Sequence, residues 1–222
     1  MRFLVWLIVF AIFPWNRVQG NPLAIDGERR PIKMTSEQVM VQVRPTRSLV
    51  FGTYTFQQEP DNWPIQADKY VLIYLPIILS EKDANSYNKK YQAPGVCVGS
   101  HAFVAKPVKE TGMVGHPEPV DLPKGWMIQL YQAKIPLSIV EPHFTVSVAY
   151  VQPNFPGEVT AYIPFFPPHK SELATVSFMA PQGYGLGKVG LFSFGSDTKP
   201  QLDFRALDRK LIAVRLKRNK SK

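Results

Sequence analysis

The chain has 222 residues, 45% of them hydrophobic and 19% charged, with 26 Lys and Arg against 17 Asp and Glu for a formal net charge of +9. A single cysteine, Cys97, excludes an intramolecular disulfide, so the fold must be held by its core alone. No segment after the first twenty residues is long enough in apolar residues to span a bilayer.

Residues 1–20 read as a signal peptide. Arg2 gives a positive start, residues 3–13 are unbroken apolar, and Val18-Gln19-Gly20 offers a cleavage site after Gly20. The expected destination is a secreted or periplasmic compartment. Residues 21–33 form an N-terminal extension. Prolines then separate short runs rich in β-branched and aromatic residues at 39–43, 48–56, 70–79, 96–105, 126–133, 144–151, 159–166, 174–180 and 189–194. In residues 144–150 the large apolar side chains fall on even positions only, the period of a half-buried strand. One helix is expected from Ser80 as N-cap towards Lys90. The segment 210–216 fits a strand slightly better than a helix.

This punctuation predicts an all-β chain of antiparallel β-sandwich form, immunoglobulin-like or jelly-roll-like, as one sandwich or two in tandem. The stretches 34–131 and 132–204 would be its halves or its domains, followed by a basic segment, 205–222. Oligomeric state is not fixed by any motif.

Charge is concentrated at that last segment. Arg205, Arg209, Lys210, Arg215, Lys217, Arg218, Lys220 and Lys222 stand against Asp208 alone, a local net of +7, whereas residues 21–204 carry 16 charges of each sign. A charge run confined to one end is a local device. It could serve an anionic partner such as an acidic glycan or an anionic membrane surface, with salt-sensitive affinity, or a protein. Nucleic acid is the least favoured, because aromatic residues are not interleaved with the cations. The alternative is a solvated tail.

Motifs for catalysis are weak. Cys97 and His101 are four apart, but Cys97 lies in Gly95-Val96-Cys97-Val98-Gly99, which reads as a short strand with an inert buried thiol. His116-Pro117-Glu118 and Glu141-Pro142-His143 each pair a histidine with a carboxylate, without metal-ligand spacing. Gly185-Leu186-Gly187-Lys188-Val189-Gly190 matches a dinucleotide pattern formally, yet apolar strand residues follow where a helix is required. No cofactor and no metal are expected. Trp63, Trp126, Tyr87, Tyr91, Phe155 and Tyr184 fall near loops and strand ends, where rings could form a contact surface.

The reading favoured by these features is a secreted, non-enzymatic binding or structural protein that engages an anionic partner through its basic end. A hydrolase or glycan-active enzyme using Glu59, Asp61, His101 or His143 is the alternative. In overall plan, and in Trp126-Met127 followed by Lys134-Ile135-Pro136, the chain is loosely similar to periplasmic pilus-assembly chaperones. That resemblance implies tandem sandwiches and a binding role; the rest of the chain departs from the family's pattern.

Overall fold

The computed structural model describes residues 23–24, 32–58, 70–108, 122–163, 174–188, 199–205 and 211–219. The signal-peptide region, Glu59, Asp61, Trp63, His116 and Glu118 lie outside them. The described chain is nearly all β, in three sheets.

The largest sheet has seven strands. Its centre is β2 (Ile32–Val43), β3 (Arg47–Gln58) and β9 (His143–Pro153), joined antiparallel. The hairpin of β5 (Gly95–Val98) and β6 (His101–Val104) extends it past β9, and β11 (Ala174–Met179) with β13 (Gln201–Arg205) extends it past β2. One pairing departs from the antiparallel expectation: β11 runs parallel to β2. A parallel neighbour requires a long crossover, and 130 positions intervene between Val43 and Ala174.

A second sheet holds β1 (Leu23–Ala24), β4 (Tyr70–Ser80), β8 (Trp126–Pro136) and β7 (Lys106–Pro107) in the order β1-β4-β8-β7. The third places β14 (Ile212–Arg218) between β10 (Val159–Tyr162) and β12 (Tyr184–Lys188). The strand expected at the end of the chain is therefore present, and β12 carries Gly185 to Lys188 of the glycine motif as a strand; the run expected at 189–194 lies outside the described residues.

One hydrophobic core draws on all three sheets, including Val41, Val50, Val146 and Val176 of the first, Leu75, Ile77 and Ile135 of the second, and Leu186, Val214 and Leu216 of the third. A smaller cluster forms on the opposite side of β4, where Ile78 meets Phe155, Val159, Ala161 and Ile163. The stretches 34–131 and 132–204 thus contribute strands to one shared sheet and side chains to one core, and β8 crosses position 131.

The helix is shorter than the sequence suggests. Between Ser80 and Tyr91, helix is confined to α1 (Tyr87–Tyr91). Residues 81–86 form turns, because Asp83 N–H donates to the Ser80 carbonyl and hydroxyl and Ser86 N–H to the Asp83 carbonyl, at 2.9 to 3.2 Å. Asp and Ser side chains offer the backbone these local bonds in place of a helical ladder.

Register puts the alternate residues of β2, β3, β9 and β5 on an outer face. Across it run Ser177, Met40, Phe51, Ala149, Gly95 and Val104 as one row of partners, with Thr175, Gln38, Thr53, Ser147, Cys97 and Ala102 as the next.

Candidate functional site

The basic segment is the site the sequence nominates, and the fold changes its character. β14 sends Ile212, Val214 and Leu216 into the main core, so the intervening Arg215 and Lys217 face the other way. Within the sheet Arg215 stands between Val159 and Gly187, and Lys217 lies beside Gly185. The two β12 glycines that suggested a phosphate loop instead give β14's long cations neighbours without side chains. Both cations are half-buried and interact within the chain.

The turn after Phe155 shapes the same side. Gly157 has φ +77, which suits glycine, and a side chain there would meet the Arg215 guanidinium at 3.6 Å. Leu216 N–H donates to the Glu158 carbonyl at 3.0 Å, tying β14 to this turn. Arg218, opposite Tyr184, is exposed, and so are Lys188 and Lys199. Lys188 Nζ lies 5.6 Å from the Phe204 ring centroid, and Lys199 bridges to Leu186 on the outer edge of β12. Five cations are thereby placed on or beside one small sheet. Arg205 sits on β13, in a different sheet, paired with Thr175. Arg209, Lys210, Lys220 and Lys222 lie outside the described residues.

Among the described residues, the groups considered for catalysis are not brought together. Cys97 is exposed, against the expectation of a buried thiol, because Val96 and Val98 take the inward positions of β5. Cys97 is paired with Ala102, and His101 with Val98, so the thiol and the imidazole project from opposite faces of the hairpin. His143 and Glu141 are both exposed. Among the described residues no group of three or more His, Cys, Asp or Glu could hold a metal. The aromatic residues proposed as a contact surface are largely structural: Tyr87 is buried and donates to the Val151 carbonyl, and Trp126 meets buried Phe155 edge-on at 4.6 Å.

The sequence reading overlooked three buried polar assemblies. Glu37, wholly buried on β2, accepts from the Tyr162 hydroxyl at 2.9 Å, and that hydroxyl lies 3.0 Å from the Tyr54 hydroxyl. Burial is the main cause that raises the Tyr54 and Tyr162 phenols well above their usual range, with Glu37 adding to it. Gly52 is required here, since a Cβ would come within 2.6 to 2.9 Å of the Tyr54 ring and hydroxyl. The three side chains are at most 2% exposed, so this assembly organises the core and offers a substrate no entrance.

Gln152 forms the second. Its amide accepts from Ile78 N–H at 3.2 Å and donates to the Ile78 carbonyl, serving both backbone groups on β4's edge as a neighbouring strand would. In the third, Ser48 donates to Asn154 Oδ1 at 3.0 Å and lies 2.8 Å from the Thr160 hydroxyl, while Asn154 Nδ2 donates to the Arg44 carbonyl.

No family model and no curated protein matches the chain. Among solved structures it is similar to native leukotriene A4 hydrolase from Saccharomyces cerevisiae, with a TM-score of 0.42 and 7% identity over 83% of this chain and 29% of that one. It is also similar to an M1 zinc metallopeptidase from Deinococcus radiodurans, with a TM-score of 0.32 and 12% identity over 90% of this chain and 42% of that one. The chain therefore spans less than half the length of these structures.

Proposed function

We propose that this chain is an extracytoplasmic, non-enzymatic binding protein that engages an anionic partner through its basic segment, 205–222. The observation that carries the reading is charge polarity: residues 21–204 are neutral, and the last eighteen hold a net of +7. Its supports are the arrangement of Arg215, Lys217 and Arg218 along one strand and the exposed Lys188 and Lys199 beside it. Cations fixed on a sheet lose less conformational entropy on binding than those of a free tail.

Removing the segment is the wrong test, because β14 is the middle strand of its sheet and supplies Ile212, Val214 and Leu216 to the core. The triple substitution Arg218→Gln, Lys220→Gln, Lys222→Gln removes charge while leaving that strand in place. Binding to a sulfated glycan and to phosphatidylserine vesicles is measured across a salt series for both proteins. The expected result is weaker binding by the variant and a shallower salt dependence. Equal binding at every salt concentration rejects the proposal. Sequencing the N-terminus of exported protein tests the compartment, with Asn21 as the expected first residue.

A further inference from the structure

We propose that the outer face of the seven-stranded sheet is a self-association surface, on which a second copy of this chain packs sheet against sheet. Three of the four large hydrophobic residues that are exposed among the described residues lie on this face: Phe51 at 39%, Met179 at 40% and Val104 at 63%. They are not scattered. Phe51 and Val104 belong to the row that also contains Met40 and Ala149, and Met179 lies two positions further along β11, in the row shared with Leu49 and Val151.

The second observation is the absence of charge. Across β11, β2, β3, β9, β5 and β6, the sixteen positions of these three rows include no Asp, Glu, Lys, Arg or His. Charged and titratable groups stand around them, with Arg47 at one end of β3, His143 at the far end of β9, and Asp203 and Arg205 on the β13 edge, where they continue the rows of Ser177 and Thr175. An apolar centre depleted of charge, within a polar rim, is the anatomy of a protein interface. Under a two-fold axis a surface meets itself, so each central charge would face a like charge or leave one desolvated. The six strands from β11 to β6 have none to oppose in these rows. Of the basic segment's described cations, Arg215, Lys217 and Arg218 are on a different sheet, and Arg205 is at the β13 margin of this one.

Shape and size agree. A pleated face with alternating side chains is covered best by another such face about 10 Å away. Five strand spacings of about 4.8 Å and the four residue steps of about 3.3 Å that separate the outermost rows give roughly 24 by 13 Å, near 300 Å² in projection. That is the scale of a weak or transient dimer rather than an obligate one. Cys97 lies in the row beside that of Phe51 and is exposed, so its thiol reports whether the face is covered.

The test is sedimentation velocity of the purified protein over a wide concentration range, combined with the rate of Cys97 alkylation by a maleimide. The expected outcome is a reversible monomer–dimer equilibrium, slower alkylation as dimer accumulates, and association weakened by roughly tenfold or more in Phe51→Glu. Met179→Glu, on a different strand, should act in the same direction. Circular dichroism and thermal melting verify that both variants are folded, and Phe51→Ser replaces Phe51→Glu if they are not. A protein that stays monomeric throughout overturns the proposal. So does a dimer that these substitutions leave unchanged, or one in which Cys97 reacts as fast as in the monomer.

Discussion

β9 and β4 are strands of equal length with opposite burial. Along β9, positions 143 to 150 alternate between exposed and buried, whereas β4 is buried at every position from 71 to 79. The difference lies in what covers them. β9 has the main core on one side and the outer face on the other, while β4 has the main core on one side and the Ile78 cluster on the other. A strand covered once writes its orientation into its sequence, and a strand covered twice becomes a plain apolar run.

Substitutions on both faces of β4 should sharpen this contrast most. Leu75→Ala and Ile78→Ala point to opposite sides, and each should cost about 2–5 kcal/mol in urea unfolding. Ser147→Ala on β9's outer face should stay within about 0.5 kcal/mol. A small cost for Ile78→Ala would break the comparison. Gln152→Leu should destabilise by about 2–4 kcal/mol, because two buried backbone groups of Ile78 lose their partner. Tyr162→Phe removes the donor to Glu37 and should cost about 1–2 kcal/mol, read from the same unfolding curves.

Alkaline pH tests the same core. Burial, with smaller contributions from Glu37 and neighbouring phenols, holds the Tyr54 and Tyr162 hydroxyls well above 10.0, their ordinary value. The folded state therefore keeps protons that the unfolded chain gives up near pH 10. Stability is intact below that point and falls as the pH climbs beyond it. Tyrosinate absorbance from these residues should appear together with loss of circular dichroism, and smooth titration in a folded protein would contradict it. The smallest effect is expected at exposed Asp203, whose carboxyl is held below its usual range by the Ser177 hydroxyl first and the Gln201 amide second. Its contribution is present above the ordinary carboxylate range and lost as the pH falls through the lowered value. Ser177→Ala should raise that pKa in an NMR titration with little change in stability at neutral pH.

Much of the fold was legible. Period-two alternation identified β9, the choice of strand over helix at the chain's end anticipated β14, and Gly185 and Gly187 of the glycine motif lie on strand β12, in keeping with the strand reading given to them. Strand order was not legible, because pairing between β2 and β11 depends on contacts that no local window contains. The buried polar residues were recoverable in principle. Glu37 continues the inward series Val39, Val41 and Val43; Gln152 continues Phe144, Val146, Val148 and Tyr150; Ser48 precedes Val50 on the same side. Extending each apolar series by one step would have placed all three inside. For Cys97, burial was inferred from composition, while the alternation of Val96 and Val98 already pointed it outward.

The parallel join between β2 and β11 also bears on how the molecule is made. Its two strands are separated by most of the chain, and loop closure across that distance precedes any return from the contacts it allows. Until Ala174–Met179 has been synthesised, β2 presents an open edge. Slow maturation, and a premium on keeping that edge apart from other chains during it, follow from a single strand pairing.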